Sequence, residues 1–187
     1  MHVAKPQPDW IEDLVEAEGL LRERAYTTMM DTWHIPIYSY LRGMLNEHDD
    51  AEDATQETFV QVLRSIHLFR GESKFSTWLY AIARRKGLDA LRSRKQLALR
   101  YAHPNAADWE TRLESDPFFD GDDAERKLHA ALQILPARQR EVFTLRYFQE
   151  MTYADIAELI GTSEGAAKAS YFHAKNKVQV HLISSTD

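Results

Sequence analysis

A chain of 187 residues, 44% apolar and 11% aromatic, is long enough for one ordinary domain or two small ones with real cores, which excludes disorder throughout. It contains no cysteine, so disulfides, thiolate zinc sites, iron–sulfur clusters and cysteine nucleophiles are excluded and a reducing compartment is expected. The net charge of −6 hides a segregation: residues 1–60 carry 4 basic and 13 acidic groups, 70–100 carry 9 and 2, 101–125 carry 1 and 8, and 126–187 carry 8 and 6.

A basic stretch set among acidic ones creates a local positive face, and local potential is what a polyanion feels. On charge alone, a merely solvated Lys/Arg helix face remains the alternative. No run approaches the ~18 apolar residues of a membrane helix. Residues 1–13 are polar and acidic where a signal peptide needs a basic and then an apolar run. The expectation is a cytoplasmic protein without membrane insertion.

In chain order, residues 10–45 hold two apolar-periodic stretches, with Pro36 expected to start or kink a helix in the second. Over residues 54–69, Phe59, Val62, Leu63, Ile66 and Phe69 fall at i, i+3, i+4, i+7 and i+10, one face of a helix. A further helix is expected from about Ser76, with Ser76 or Thr77 as its cap and Phe75, Trp78, Leu79, Ile82 and Ala83 on one face. Between the two lies the short loop Arg70-Gly71-Glu72-Ser73-Lys74, bracketed by Phe69 and Phe75. Nothing alternates with period two, so strands are not expected. From about residue 96 to 123 the periodicity dissolves into His103-Pro104-Asn105, Asp116-Pro117 and Asp120-Gly121-Asp122-Asp123, an acidic linker pattern. Residues 124–135, 136–148, 152–160 and 162 to about 182 then read as helices, with Pro136 in a first turn and Gly161 just past a helix end. The predicted fold is all-α: two small helical domains, 1–96 and 124–187, joined by a flexible acidic linker at 97–123.

The sharpest local motif is Thr152-Tyr153-Ala154-Asp155, a capping box opening a short helix with Ile156, Ala157 and Ile160 on one face. Gly161-Thr162-Ser163 turns the chain into a longer helix, and this combination is the helix-turn-helix pattern. Ala167, Tyr171, Ala174 and Val178 are expected in its core, leaving Lys168, Phe172 and Lys175 on an outward stripe. An ordinary helical hairpin would show the same periodicity.

Chemistry finds no foothold. The cluster Asp49, Asp50, Glu52, Asp53 and Glu57 fails as an EF-hand because Ala54 stands where the loop needs Gly. Glu125 with His129 is a single pair and lacks the repeats of a di-iron bundle. Gly71-Glu72-Ser73-Lys74 lacks the spacing and the second Gly of a P-loop, and no hydrolase, zincin or dinucleotide fingerprint occurs. No metal, cofactor or enzymatic activity is expected. A carboxylate cluster at a helix start, or a docking surface for a basic partner, explains the acidic residues better. An autonomous helix-turn-helix regulator with a helical sensing domain and a helical enzyme or adaptor with a solvated basic stretch are two readings that these residues leave open.

Two blocks of residues resemble the extracytoplasmic-function sigma factors, the two-domain class of bacterial transcription initiation factors. The first runs from Asp50-Ala51-Glu52-Asp53-Ala54-Thr55-Gln56-Glu57-Thr58-Phe59 through Phe69–Arg84 to Asp89-Ala90-Leu91-Arg92 and is similar to the family's second conserved region. The other takes in Leu135-Pro136, Arg140-Glu141-Val142-Phe143, Leu145-Arg146-Tyr147-Phe148, Met151-Thr152-Tyr153-Ala154-Asp155-Ile156-Ala157-Glu158, Gly161 and Gly165, and is similar to the fourth. The resemblance implies that Asp53, Gln56 and Glu57 dock on the β′ clamp of core RNA polymerase. It implies that Phe69, Arg70, Gly71, Glu72, Ser73, Lys74, Phe75, Trp78, Arg84 and Arg85 melt and read the minus-ten element. Lys168, Ser170, Phe172, His173 and Lys175 are then the readers of the minus-thirty-five duplex. The implied partners are core polymerase (β′ clamp and β flap), promoter DNA and an anti-sigma factor. Opening a base pair costs a few kcal/mol, and stacking on aromatic side chains returns about 1–3 kcal/mol per base with salt-dependent phosphate contacts besides, so melting needs no ATP. Arg85 stands where many members carry Asn, and Lys168, Ser170, His173 and Lys175 stand where relatives often carry Arg, which leaves fewer bidentate guanine readers.

Overall fold

The computed structural model describes residues 7–45, 47–101, 127, 128 and 131–184, the side chains of 96–101 excepted. Among these the regular structure is entirely helical: α1 (Trp10–Glu16), α2 (Leu20–Met44), α3 (His48–Ser65), a 3-10 turn (Ile66–Leu68), α4 (Phe75–Tyr101), α5 (Ala137–Tyr147), α6 (Tyr153–Ile160) and α7 (Glu164–Ser184). Residues 127, 128 and 131–133 are helical as well. The chain divides into two units, residues 1–91 and 92–187. α4 keeps helical backbone through residue 101, beyond the residue 96 expected to end the first domain. The rest of the expected linker, 102–123, lies outside the described residues, as do 124–126, 129 and 130 of the helix expected next.

In the first unit α3 buries Ala51, Ala54, Phe59 and Val62, with Ile66 just beyond it, which is the face its periodicity calls for. Thr55 and Thr58 share that interior, and each stays satisfied because its hydroxyl donates to the carbonyl one turn back, Ala51 and Ala54, at 2.7 Å. Pro36 does not interrupt α2, which runs unbroken across it. The proline removes one N–H from the ladder, while Ala25 and Met29 upstream and Ile37, Tyr40 and Leu41 downstream are all buried, and that packing holds the helix together. Tyr40 meets Tyr80 of α4 edge-on at 5.2 Å, and burial pushes the Tyr80 hydroxyl far above the usual tyrosine range. Gly87 lets α4 approach α2, since a Cβ there would sit 2.7 Å from Met44 Sδ.

The start of α4 departs from expectation. The helix begins at Phe75, so Ser76 and Thr77 lie within its first turn, and the Thr77 hydroxyl is buried without a protein partner. The Phe75 N–H is capped instead by the side chain of Gln7, whose Oε1 accepts it at 3.0 Å.

In the second unit Ala131, Leu132, Leu135, Phe143, Ala174 and Val178 form one buried cluster, with Leu128, Tyr171 and Leu182 packed on it. Arg140 closes the turn before α5 by donating from Nη2 to the Gln133 carbonyl at 3.0 Å and the Leu135 carbonyl at 3.3 Å. Burial lowers its pKa from the ordinary arginine value. Thr152 caps α6: its hydroxyl accepts from the Asp155 N–H at 3.1 Å and donates to the Asp155 carboxylate at 2.7 Å. Gly161 ends α6 in the left-handed region at φ 67°, ψ 52°, and the N–H groups of Gly161 and Thr162 both reach the Ala157 carbonyl. Ser163 then starts α7, its Oγ accepting from the Ala166 N–H at 3.1 Å.

Because one hydroxyl makes both capping bonds, Thr152→Ala is expected to lower stability by about 1 kcal/mol in urea denaturation followed by helical circular dichroism, and Thr152→Ser to leave it nearly unchanged. An alanine variant as stable as wild type would contradict the assignment.

Candidate nucleic-acid interface

Two surfaces in the first unit and one in the second carry the site residues. The loop 70–74 emerges from the 3-10 turn and ends at Phe75. Gly71 adopts φ 70°, a conformation that L side chains rarely accept, and this reverses the chain. Phe75 itself is 1% exposed. Its ring is the hub of an aromatic cluster, with Trp10 edge-on at 5.1 Å, Phe69 edge-on at 5.8 Å, Trp78 tilted at 5.8 Å and Trp33 at 6.3 Å. The two bracketing phenylalanines therefore differ in kind. Phe75 is the floor under the loop, with its ring buried. Phe69 and Trp78, half-buried and tilted against each other at 5.3 Å, are the rings left at the surface. Arg70 and Glu72 are exposed, and Ser73 and Lys74 are half-buried.

Gln7 joins this site from the N-terminal end of the chain. Its Nε2 donates to the Ser73 carbonyl at 2.8 Å while its Oε1 holds the Phe75 N–H. Gln7 and Trp10 were invisible as site residues in the sequence, because no local spacing relates them to a loop more than sixty positions away. Along α4, Arg84 is half-buried and Arg85 exposed. The third cation of that run, Lys86, pairs with Glu57 of α3 at 3.0 Å.

The acidic docking candidates Asp53, Gln56 and Glu57 are all exposed on α3, opposite its buried face. They differ in attachment, since Glu57 is tied to α4 through Lys86. Upstream, the His48 ring accepts or donates a hydrogen bond to the Tyr38 hydroxyl at 2.7 Å and lies 3.3 Å from Glu52.

In the second unit α6 and α7 form the expected helix-turn-helix. Ala167, Ala174 and Val178 are buried and Tyr171 half-buried, so the opposite stripe of Lys168, Phe172 and Lys175 faces outward with His173 beside it. Phe172 is 60% exposed, which leaves its ring available. Ser170 is half-buried on the flank. Two neighbours missed by sequence reasoning bear on Lys168: Glu164 pairs with it at 2.8 Å, one turn away, and the Tyr153 ring lies 5.8 Å below its ammonium. Arg146 sits over the same ring at 5.0 Å and donates to the Met151 carbonyl at 2.8 Å, fixing the turn between α5 and α6. Phe143 stacks between Tyr147 at 5.1 Å and Tyr171 at 5.6 Å, and burial raises the Tyr171 pKa.

Comparison with known proteins agrees with this geometry. Sigma-70 region 2 matches residues 29–97, and Sigma-70 region 4 matches residues 125–178. The ECF RNA polymerase sigma factor SigX of Bacillus subtilis is 30% identical over 166 residues, an overlap covering 86% of this chain and 84% of SigX. The RNA polymerase sigma-H factor of Pseudomonas aeruginosa is 27% identical over 187 residues, 91% of this chain and 93% of that one. Among solved structures, the sigma factor RpoE in complex with the anti-sigma factor NepR from Bartonella quintana shares the fold at a TM-score of 0.72 and 22% identity, over 85% of this chain and 97% of RpoE. CnrH in complex with the cytosolic domain of CnrY matches at a TM-score of 0.67 and 20% identity, over 94% and 96% of the two chains. The chain belongs to the extracytoplasmic-function sigma factors: it is a transcription initiation factor that directs RNA polymerase to promoters, and it is not an enzyme. Region 2 suits the minus-ten element and region 4 the minus-thirty-five element. Among the described residues no helix is long and apolar enough to cross a membrane.

The burial of Phe75 separates a structural ring from a contacting one. Phe75→Ala is expected to lower stability by about 3–5 kcal/mol in urea denaturation, with the half-buried Phe69→Ala losing clearly less. Equal losses for the two would overturn the distinction.

Proposed function

We propose that this sigma factor opens the minus-ten element with the loop 70–74, the surface rings of Phe69 and Trp78 and the cations Arg84 and Arg85. Phe75 and Gly71 shape that loop from below and within. The observation that carries the reading is the build of the loop: a short polar segment standing on a buried ring, flanked by two accessible rings and a basic helix. Such a surface suits an unpaired base and its phosphates. The helix-turn-helix suits duplex DNA, so Lys168, Ser170, Phe172, His173 and Lys175 read the minus-thirty-five element in a major groove.

Asp53, Gln56 and Glu57 dock on the β′ clamp of core polymerase, and the region 4 unit engages the β flap. An exposed acidic patch on a helix whose other face is buried supports the first contact. An anti-sigma factor is a further partner, a reading supported by the solved relatives that were captured with NepR and CnrY. The protein acts in the cytoplasm, where the polymerase and the chromosome are.

Docking is tested best at Asp53, because Glu57 also serves the fold through Lys86. Asp53→Lys is expected to weaken core polymerase binding roughly ten-fold or more with an unchanged melting curve. Unchanged affinity in a titration with fluorescent core enzyme would remove this surface from the interface.

The division of labour is tested on a promoter selected from a randomised duplex library by run-off transcription with core polymerase. Lys168→Ala is expected to weaken closed-duplex binding by about 1–3 kcal/mol, a loss that a pre-melted bubble does not restore. Arg70→Ala and Lys74→Ala are expected to spare duplex binding and slow opening, with a bubble template recovering part of the defect. Permanganate footprinting beside a duplex binding assay reads both halves. Equal loss of duplex affinity in all three variants, without response to the bubble, would overturn the assignment.

A further inference from the structure

The loop 70–74 is held at its far end by a residue that lies outside the matched region 2 segment, residues 29–97. The Gln7 amide uses both of its functions there, donating to the Ser73 carbonyl at 2.8 Å and accepting from the Phe75 N–H at 3.0 Å. The Phe75 N–H is one of the orphan donors that begin every helix, and neither Ser76 nor Thr77 is placed to cap it. A single planar amide therefore ties the end of the loop to the start of α4. Trp10, from the same N-terminal segment, adds its edge-on contact with the Phe75 ring at 5.1 Å. Between the two segments lies a cleft of about 560 Å3, with Gln7 and Asp9 on one side and Phe69, Arg70 and Gly71 on the other. At the opposite end of the loop Gly71 is conformationally permissive, so the hold at Ser73 limits how many states the loop samples before DNA arrives.

We propose that Gln7 is a positioning residue for promoter opening: its side-chain amide sets the conformation in which the loop 70–74 captures the unpaired minus-ten strand. The inference rests on the reading of that loop given above and adds to it a determinant from the N-terminal segment. Gln7 acts through the loop backbone and is not itself assigned a contact with DNA. Two partly buried hydrogen bonds are at stake, so their removal is expected to slow opening roughly ten-fold.

The test uses full-length holoenzyme on the library-selected promoter, with opening followed by permanganate reactivity in the minus-ten region. Gln7→Ala is expected to slow opening roughly ten-fold while core polymerase affinity and closed-duplex binding stay at wild-type values, and a pre-melted bubble is expected to restore most of the rate. Gln7→Glu keeps an acceptor for the Phe75 N–H and turns a carboxylate oxygen toward the Ser73 carbonyl. It is therefore expected to slow opening as the alanine variant does. A glutamate variant that opens at the wild-type rate would show that the helix cap alone suffices, and would overturn the inference. So would a Gln7→Ala defect that includes lost polymerase or duplex binding, or one that the bubble fails to relieve, since general damage would explain it. Normal opening in Gln7→Ala beside slow opening in Arg70→Ala and Lys74→Ala overturns this inference and leaves the loop's role standing. Normal opening in all three overturns the loop's role and this inference with it.

Discussion

The Phe75 ring is where four aromatic side chains converge, two of them from distant parts of the chain, and the placement of the loop before it follows from that burial. Trp10 comes from α1, Trp33 from α2, Phe69 from the end of the 3-10 turn and Trp78 from the next turn of α4. Edge-to-face packing of this kind adds about 0.5–1.5 kcal/mol per pair to the burial of large apolar surfaces. The first helical residue of α4 is thereby anchored in the core, and the polar residues 70–74 are left to span the short distance from Phe69 with only Gly71 in an unusual conformation. A loop anchored at both ends by rings presents its side chains with little freedom. Such a loop has less conformational entropy to lose on binding any ligand than a longer, untethered one.

Charge is distributed to match. The acidic face of α3 meets the basic run of α4 through the pair of Glu57 with Lys86 at 3.0 Å. Because the charge is segregated along the chain, a net charge of −6 is no obstacle to DNA binding. In the second unit the same economy is seen on one helix. α7 buries small residues, Ala167 and Ala174, so that it packs closely on its neighbours, and it turns its cations and Phe172 outward. Lys168 there pairs with Glu164 one turn away at 2.8 Å.

Much of this was written locally in the sequence. Helical periodicity located α3, α6 and α7 because each depends on one apolar face, and the residues it places inward are buried or half-buried. The capping box at Thr152 and the left-handed Gly161 are contacts within a few residues, so their chemistry is legible from neighbours alone. The same holds for the outward stripe of α7, which is the remainder once the core face is known.

Tertiary structure decided the rest, wherever the partner of a group lies far along the chain. Pro36 reads as a break in local terms, yet α2 continues because buried residues on both sides of it hold the helix in place. Ser76 and Thr77 read as caps, yet α4 begins earlier because Gln7 satisfies the Phe75 N–H from 68 positions away. Phe69 and Phe75 look alike as rings bracketing a loop. Only the meeting of Trp10 and Trp33 on one of them makes Phe75 a floor and leaves Phe69 at the surface. Residue type and spacing thus determined the helices, their caps within one turn and the class of surface each presents. Which ring is buried, which carboxylate is already paired and what holds the loop were set by contacts between segments, because hydrogen bonds and ring packing depend on distance in space and not on distance along the chain.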